Sequence, residues 1–183
     1  MTVGQTGAVT VFAGSAPGVE ERWSDTAYRL GAAIAGRGAA LVYGAGGVGL
    51  MGAVSQGALD HGGTVVGVIP QSMMDREWGR GDLSELVITE SMHQRKKIMA
   101  DRCDGFICLP GGSGTLEELV EIWSWLNLGY LRQPLVLLDD GGFWQPLLGL
   151  AEHFESAGFL APEARARLLV AADPDHALRL ALG

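Results

Sequence analysis

The sequence predicts an α/β fold, a doubly wound parallel sheet with helices on both faces. Short apolar segments alternate with segments of helical periodicity along the whole chain. The apolar segments are continuously hydrophobic, as in strands that are covered on both faces of a parallel sheet. Glycine-rich loops follow several of these segments directly. No linker, repeat or low-complexity stretch interrupts the pattern, so we expect residues 1–183 to form a single Rossmann-like domain.

Each element is predicted from its local pattern. Apolar runs of four to six residues indicate strands, spacing of three and four residues indicates helices, and paired glycines such as Gly62-Gly63 end helices. Residues 71–90 are less regular, and a loop of that length is often a lid or a pocket wall. The predicted strands are Ala8–Ala13, Ala40–Tyr43, Thr64–Ile69, Phe106–Leu109, Leu135–Leu138 and Leu168–Val170, with a short extended piece at Val87–Thr89. The predicted helices are Glu20–Arg37, Leu50–His61, Met92–Cys103, one that Thr115 would cap, Phe143–Ala157 and Asp175–Leu182.

The amino-acid composition excludes several classes of protein. With 48% hydrophobic and 19% charged residues, the chain has the composition of a globular protein. A net charge of −8 argues against general binding to nucleic acid or to an anionic membrane. The sequence lacks both a long apolar run and the features of a signal peptide, which predicts a cytoplasmic protein with two buried, reduced thiols, Cys103 and Cys108. The four histidines lack metal-ligand spacing, so we expect no metal site.

The stretch Gly105–Tyr130 carries the strongest functional signal. An apolar strand runs into the glycine loop Pro110–Gly114, and a helix begins behind that loop. Glycine lets backbone N–H groups approach an anion closely, and the helix adds unpaired N–H groups at the positive end of its dipole. This arrangement predicts a phosphate site, although the loop lacks the lysine of a P-loop. The alternative is structural, because Thr115 and Glu118 have the spacing of a capping box.

A second glycine loop, Gly44–Gly49, contains the spacing GxGxxG. A dinucleotide site would also want an acidic residue at the end of the following strand, to bind the ribose. The strand Thr64–Ile69 ends without one. We therefore do not predict a dinucleotide site here.

The topology brings a basic cluster to the glycine loops. Loops that leave the strands of a parallel sheet share its carboxyl edge, and the first turns of the helix Met92–Cys103 lie at that edge too. Arg95 and Lys96 are therefore expected near the loop Pro110–Glu118. A solvated basic face is the simpler alternative. Cations in the first turns oppose the helix dipole, however, which favours an anionic ligand or a carboxylate partner.

The residues Pro110–Glu118 resemble the PGGxGTxxE signature of the Lonely-guy family of cytokinin riboside 5′-monophosphate phosphoribohydrolases. The resemblance extends over nearly the whole chain, in the right order. The further matching segments are Val11–Ser15, Tyr43–Gly52, Gly67–Pro70, Met92–Lys96 and Trp123–Gly129. Two positions depart from the family pattern: Ala45 replaces a usual glycine, and Ser113 stands where an aromatic residue is frequent in plant members.

The resemblance implies an enzyme that hydrolyses the N-glycosidic bond of AMP or of a cytokinin riboside 5′-monophosphate, giving the free base and ribose 5-phosphate. It further implies a homodimer or a larger assembly, with a homodimer expected here, that uses neither a metal nor an organic cofactor and whose partner is the small-molecule nucleotide. Arg95 and Glu118 match the catalytic pair. The positions implied in substrate binding are Gly14, Ser15, Glu77, Arg95, Lys96, Gly112, Ser113, Gly114, Thr115, Leu116, Glu117, Glu118 and Ser124.

The residues leave several roles open. Glu118 could stabilise an oxocarbenium-like sugar or activate the attacking water. Arg95 could bind the phosphate or the ribose, or orient Glu118. A non-catalytic carrier of a nucleotide or cofactor on the same fold is the alternative function. A pyridoxal-dependent lysine decarboxylase would need a Schiff-base lysine, and Lys96 and Lys97, the two lysines of the sequence, are poor candidates.

Overall fold

A computed structural model describes residues 7–74 and 80–183. Within these ranges seven strands form one sheet, in the order β4-β3-β2-β1-β5-β6-β7, and every pairing is parallel. The strands are β1 Ala8–Phe12, β2 Ala40–Tyr43, β3 Thr64–Pro70, β4 Glu85–Thr89, β5 Gly105–Cys108, β6 Leu135–Leu138 and β7 Leu168–Ala171. The helices are α1 Glu21–Gly36, α2 Gly49–Asp60, α3 Met92–Asp101, α4 Ser113–Asn127, α5 Gln145–Ser156, α6 Pro162–Arg165 and α7 Pro174–Leu182, with a 3₁₀ turn at Gln71–Met73.

Two hydrophobic clusters cover the two faces of the sheet. In β1, Val9 and Val11 belong to one cluster and Phe12 to the other. The first cluster takes in side chains of α1, α2 and α7, and the second takes in side chains of α3, α4 and α5. The predicted doubly wound α/β fold is therefore confirmed. None of the helices within the described ranges is long and apolar enough to cross a bilayer.

The central strands β1 and β5 determine where on the carboxyl edge of the sheet a ligand is expected. β1 pairs with β2 on one side and with β5 on the other, so the chain reverses its winding direction between β1 and β5. In this pair Val9 lies opposite Gly105, and Phe12 lies opposite Cys108. Ligands of open α/β sheets bind at such a switch point, outside the carboxyl ends of the strands.

Helices α1 and α2 pack backbone against backbone. A Cβ atom placed on Gly31 would lie 2.0 Å from the Val54 carbonyl oxygen, and one on Gly57 would lie 2.0 Å from the Tyr28 carbonyl oxygen. Each helix therefore presents a glycine to the main chain of the other. Any larger residue at either position would force the two helices apart.

Ala45, the position that departs from the family pattern, has a left-handed backbone conformation with φ at 64°. This conformation costs a non-glycine residue about 1 kcal/mol, and glycine adopts it freely. The structure thus gives a physical reason for glycine at this position in the family.

Candidate active site

A cavity of about 290 Å³ opens at the carboxyl edge of the sheet, between the loops that follow β1 and β5. It is lined by residues of both loops, by the first residues of α4, and by residues of α2, α3 and the 3₁₀ turn. The described lining residues are Ala13, Gly14, Ser15, Met51, Met73, Met92, Arg95, Gly112, Ser113, Gly114, Thr115, Glu117 and Glu118. Most of the predicted site residues therefore share this one cavity.

A cavity of similar size, about 310 Å³, lies at the opposite edge of the sheet. Its charged groups are satisfied by each other or by the backbone. Arg102 pairs with Glu85 at 2.7 Å, and a carboxylate oxygen of Asp104 accepts a hydrogen bond from the Ala8 N–H at 2.9 Å. The carboxyl-edge cavity, which combines a helix N-terminus with a carboxylate and a guanidinium, is the better candidate for chemistry.

Helix α4 begins three residues earlier than the capping-box interpretation requires. Gly112 is the N-cap, and no side chain among the described residues caps it. The first helical hydrogen bond runs from the Leu116 N–H to the Gly112 carbonyl oxygen at 3.0 Å. The proposed capping box of Thr115 and Glu118 is thus wrong, because these residues are the third and the sixth of the helix.

The start of α4 instead leaves backbone donors for a ligand. The N–H groups of the first helical residues have no intrahelical acceptor, and Ser113, Gly114 and Thr115 all line the cavity. Thr115 itself is buried, and a Cβ atom on Gly111 would lie 2.1 Å from its hydroxyl oxygen. Glycine at 111 therefore allows the loop to fold closely over the helix start.

The loops after β1 and β5 touch directly. The Gly14 N–H donates to the Pro110 carbonyl oxygen at 3.0 Å, and a Cβ atom on Gly14 would lie 3.1 Å from Gly111 Cα. This contact holds the two walls of the cavity in register with the central strand pair.

Arg95 is buried at the base of the cavity, with 3% of its surface exposed. Its Nε donates to the Val68 carbonyl oxygen at 3.0 Å, and its Nη2 donates to the Gly44 carbonyl oxygen at 2.8 Å. A Cβ atom on Gly44 would lie 2.0 Å from Nη2, so the glycine makes room for the guanidinium. The alternative of a solvated basic face is therefore wrong for Arg95, and the loop after β2 serves to hold it.

Lys96 is also buried, but its ammonium contacts side chains of α4. It lies 2.5 Å from a carboxylate oxygen of Glu117 and 2.9 Å from one of Glu121. The predicted position near the Pro110–Glu118 loop is confirmed. The partner of this cation in the structure is a pair of carboxylates.

Besides Lys96, two of the described residues that were predicted to bind substrate are absent from the cavity lining. Leu116 is 41% exposed and lines a neighbouring apolar cavity of about 320 Å³. Ser124 is exposed on α4, almost two turns beyond Glu118. Glu77 lies outside the described residues. Their roles as substrate contacts stay predictions.

The cavity also contains apolar residues that were not predicted. Met92 precedes Arg95 by three residues on α3, and that helical spacing could have indicated it. Met51 lies within the segment that resembles the family, directly after the second glycine loop. Met73 belongs to the 3₁₀ turn of the irregular stretch, where the sequence carried no periodic signal.

The two thiols are protonated at neutral pH. Burial raises the pKa of Cys103 to about 11. Burial, with a smaller contribution from the charge of Glu118, raises the pKa of Cys108 well above its ordinary value. A buried, protonated thiol is a poor nucleophile. In addition, the described residues contain no group of three histidine, cysteine or acidic side chains that could hold a metal ion.

Fold and cavity together define a doubly wound α/β protein with a helix start that no described side chain caps, a carboxylate and a guanidinium at its switch point. A family model described as "possible lysine decarboxylase" matches residues 51–181. A cytokinin riboside 5′-monophosphate phosphoribohydrolase of Rhodococcoides fascians is 45% identical over 172 residues, covering 93% of this chain and 87% of the relative. The cytokinin riboside 5′-monophosphate phosphoribohydrolase LOG of Oryza sativa subsp. japonica is 43% identical, covering 95% of this chain and 72% of the relative. The chain belongs to this family, the Lonely-guy family.

Solved structures agree on the fold. The molybdenum cofactor carrier protein of Chlamydomonas reinhardtii superimposes with a TM-score of 0.68 at 24% identity, over 94% of this chain and 93% of that one. At this identity the likeness shows the fold alone.

Proposed function

We propose that this protein hydrolyses the N-glycosidic bond of a nucleoside 5′-monophosphate, either AMP or a cytokinin riboside 5′-monophosphate, to the free base and ribose 5-phosphate. Relatives named phosphoribohydrolases, at 41–45% identity, support the reaction class. The observation that carries the proposal is the single cavity in which an uncapped helix start meets Glu118 and Arg95.

The 5′-phosphate occupies the start of α4 in this proposal. The backbone N–H groups of Ser113, Gly114 and Thr115 donate to its oxygens, and the helix dipole favours its charge. Gly14 and Ser15 close the opposite wall. Binding at this point fixes the ribose over the following turn of the helix, where Glu118 lies.

The carboxylate of Glu118 acts on the anomeric carbon. As the C1′–N bond breaks, its electron pair stays with the base, and the sugar develops the positive charge that Glu118 stabilises. Water then adds to C1′ and passes a proton to Glu118, and this proton goes on to the departing base, which returns Glu118 to its carboxylate form. Arg95 contributes its positive charge to the same cavity, where it binds substrate oxygens. We infer that these groups act without a metal or an organic cofactor.

A substrate panel tests the proposal. The purified protein is incubated with AMP, isopentenyladenosine 5′-monophosphate, GMP, CMP and adenosine, and released base is measured by chromatography. We expect base from one of the adenine nucleotides, and a rate on adenosine lower by about 10²-fold or more, because the phosphate supplies the positioning. Equal rates on AMP and adenosine would contradict the proposed phosphate site. Tight AMP binding without base release would favour the carrier function.

We further propose a homodimer, formed through an apolar face that α4 and α5 share. Leu116 and Val120 on α4 are 41% and 43% exposed, and Leu150 and Phe154 on α5 are 46% and 40% exposed. Leu116 and Leu150 line one apolar cavity, and Val120 and Phe154 each lie about one turn further along the same two helices. Exposed apolar surface of this kind usually marks an interface. The free, buried thiols support our further proposal of a reducing, cytoplasmic compartment.

A further inference from the structure

Lys96 forms the most buried cation–carboxylate cluster in the described part of the chain. Its side chain is 6% exposed, and its ammonium lies between Glu117 and Glu121, which are one helical turn apart on α4. Glu117 is 55% exposed, and Glu121 is 22% exposed. The contact with Glu117 is a hydrogen bond, whereas Glu121 lies at ion-pair distance without hydrogen-bond alignment.

The ammonium of Lys96 is already paired with these two carboxylates. Burial alone lowers the pKa of Lys96, but the hydrogen bond with Glu117 and the negative charges of Glu117 and Glu121 outweigh burial and raise the pKa above its ordinary value. Lys96 is not among the described residues that line the site cavity, whereas its neighbour Arg95 is. A substrate phosphate would have to compete with two carboxylates for this ammonium.

The cluster joins the two helices that supply the reacting groups. Arg95 immediately precedes Lys96 on α3, and Glu118 immediately follows Glu117 on α4. Neighbouring residues on a helix point about 100° apart. One side of each helix can therefore carry the ion pair while the adjacent side carries Arg95 or Glu118 into the cavity.

We propose that Lys96 is a positioning residue for the hydrolysis proposed above. Its ion pairs hold α3 against α4, so that the distance between Arg95 and Glu118 is fixed when they meet the substrate. The family resemblance implied Lys96 as a substrate contact. The two roles differ in what they predict for phosphate binding. A positioning lysine affects the rate of bond cleavage, and a phosphate ligand affects the affinity for the phosphate.

The test compares Lys96→Met with the matched control Lys97→Met. Lys97 is the next residue, is 69% exposed, and pairs with Asp101 on its own helix. We measure kcat and KM for whichever nucleotide the panel identifies, and the inhibition constant of inorganic phosphate. For Lys96→Met we expect kcat to fall by about tenfold or more, as for a small misplacement of reacting groups, while KM and phosphate inhibition change by less than about threefold. Lys97→Met should match the wild type.

Glu121→Gln and Lys96→Arg keep the proposal testable if Lys96→Met does not fold. Glu121 is absent from the described cavity lining, so its substitution should lower kcat and leave phosphate inhibition unchanged. Lys96→Arg retains the charge and should retain more of kcat than Lys96→Met. Weaker phosphate inhibition in Lys96→Met or Lys96→Arg, or an unchanged kcat in Glu121→Gln, would overturn the positioning role. A wild-type protein that releases no base from any nucleotide would instead contradict the proposed function.

Discussion

Glu118 is the residue on which the proposed chemistry depends. It lies in the second turn of α4 and lines the cavity, and the structure removes the capping role that its spacing from Thr115 had suggested. Substitution of Glu118 should therefore affect the reaction and leave the start of the helix intact.

We expect Glu118→Gln to stay folded, to bind AMP and to lose about 10²-fold or more in turnover, because the carboxylate charge is lost at the reacting carbon. Turnover is measured by base release, and AMP affinity by calorimetry. Glu152→Gln, an exposed carboxylate on α5, is the control and should behave as the wild type. Near-native turnover of Glu118→Gln would exclude this carboxylate from the mechanism.

Arg95 combines a proposed role in the reaction with a role in the fold. Its guanidinium satisfies the carbonyl oxygens of Val68 and Gly44, at the ends of β3 and β2. We expect Arg95→Ala to lower turnover and also to lower the free energy of unfolding by about 2 kcal/mol or more, since both buried carbonyls lose a donor. Urea unfolding measures the second effect.

Arg102→Ala provides the comparison, because Arg102 lies at the end of the same helix in an exposed ion pair with Glu85. That change should cost less than about 1 kcal/mol. An Arg95→Ala protein as stable as the wild type would contradict the stabilising role of Arg95 and leave only its proposed role in the reaction.

At the scale of elements, most of the sheet and its helices could be predicted, because buried parallel strands are continuously apolar. Leu135–Leu138 was predicted with the bounds that the structure shows. β4 was recognised only in part, because this edge strand is mostly exposed and has no buried run. The start of α4 was misplaced, since a glycine N-cap has no side chain to signal it. That Arg95 and Glu118 share a cavity could be predicted from topology, but the carboxylate partners of Lys96 depend on side-chain directions.

The contact between α1 and α2 was likewise invisible in the sequence, where a glycine inside a helix is only a weak helix former. We expect Gly57→Ala to destabilise the protein by about 1–3 kcal/mol or more, because its Cβ would meet the Tyr28 carbonyl oxygen at 2.0 Å. Gly36→Ala is the matched control, since no described atom lies within 4 Å of a Cβ at this helical position. It should be neutral or stabilise by up to about 1 kcal/mol. Thermal unfolding of the two variants decides the point, and equal melting temperatures would contradict the close packing.

At the scale of the whole molecule, the apolar face of α4 and α5 predicts association. We expect Val120→Asp to convert a dimer into a monomer, because the substitution places a charge within a surface that association would bury. Mass is measured by light scattering after size exclusion. Val19→Asp is the control, because Val19 is 94% exposed in the loop before α1 and should leave the mass unchanged. A wild-type protein that is monomeric at micromolar concentration would contradict the proposed homodimer.

The pairing of β1 with β5 has a consequence for how the protein folds. Val9 and Gly105 are neighbours in the sheet although 96 positions separate them in the chain. Closing so long a loop costs entropy before any contact repays it, and the described sheet has no hairpin that could form first. The start of α4 can form locally behind β5, but the wall that Gly14 and Ser15 supply arrives only with the central pair. The proposed phosphate site should therefore form late in refolding, after most of the helical signal has returned.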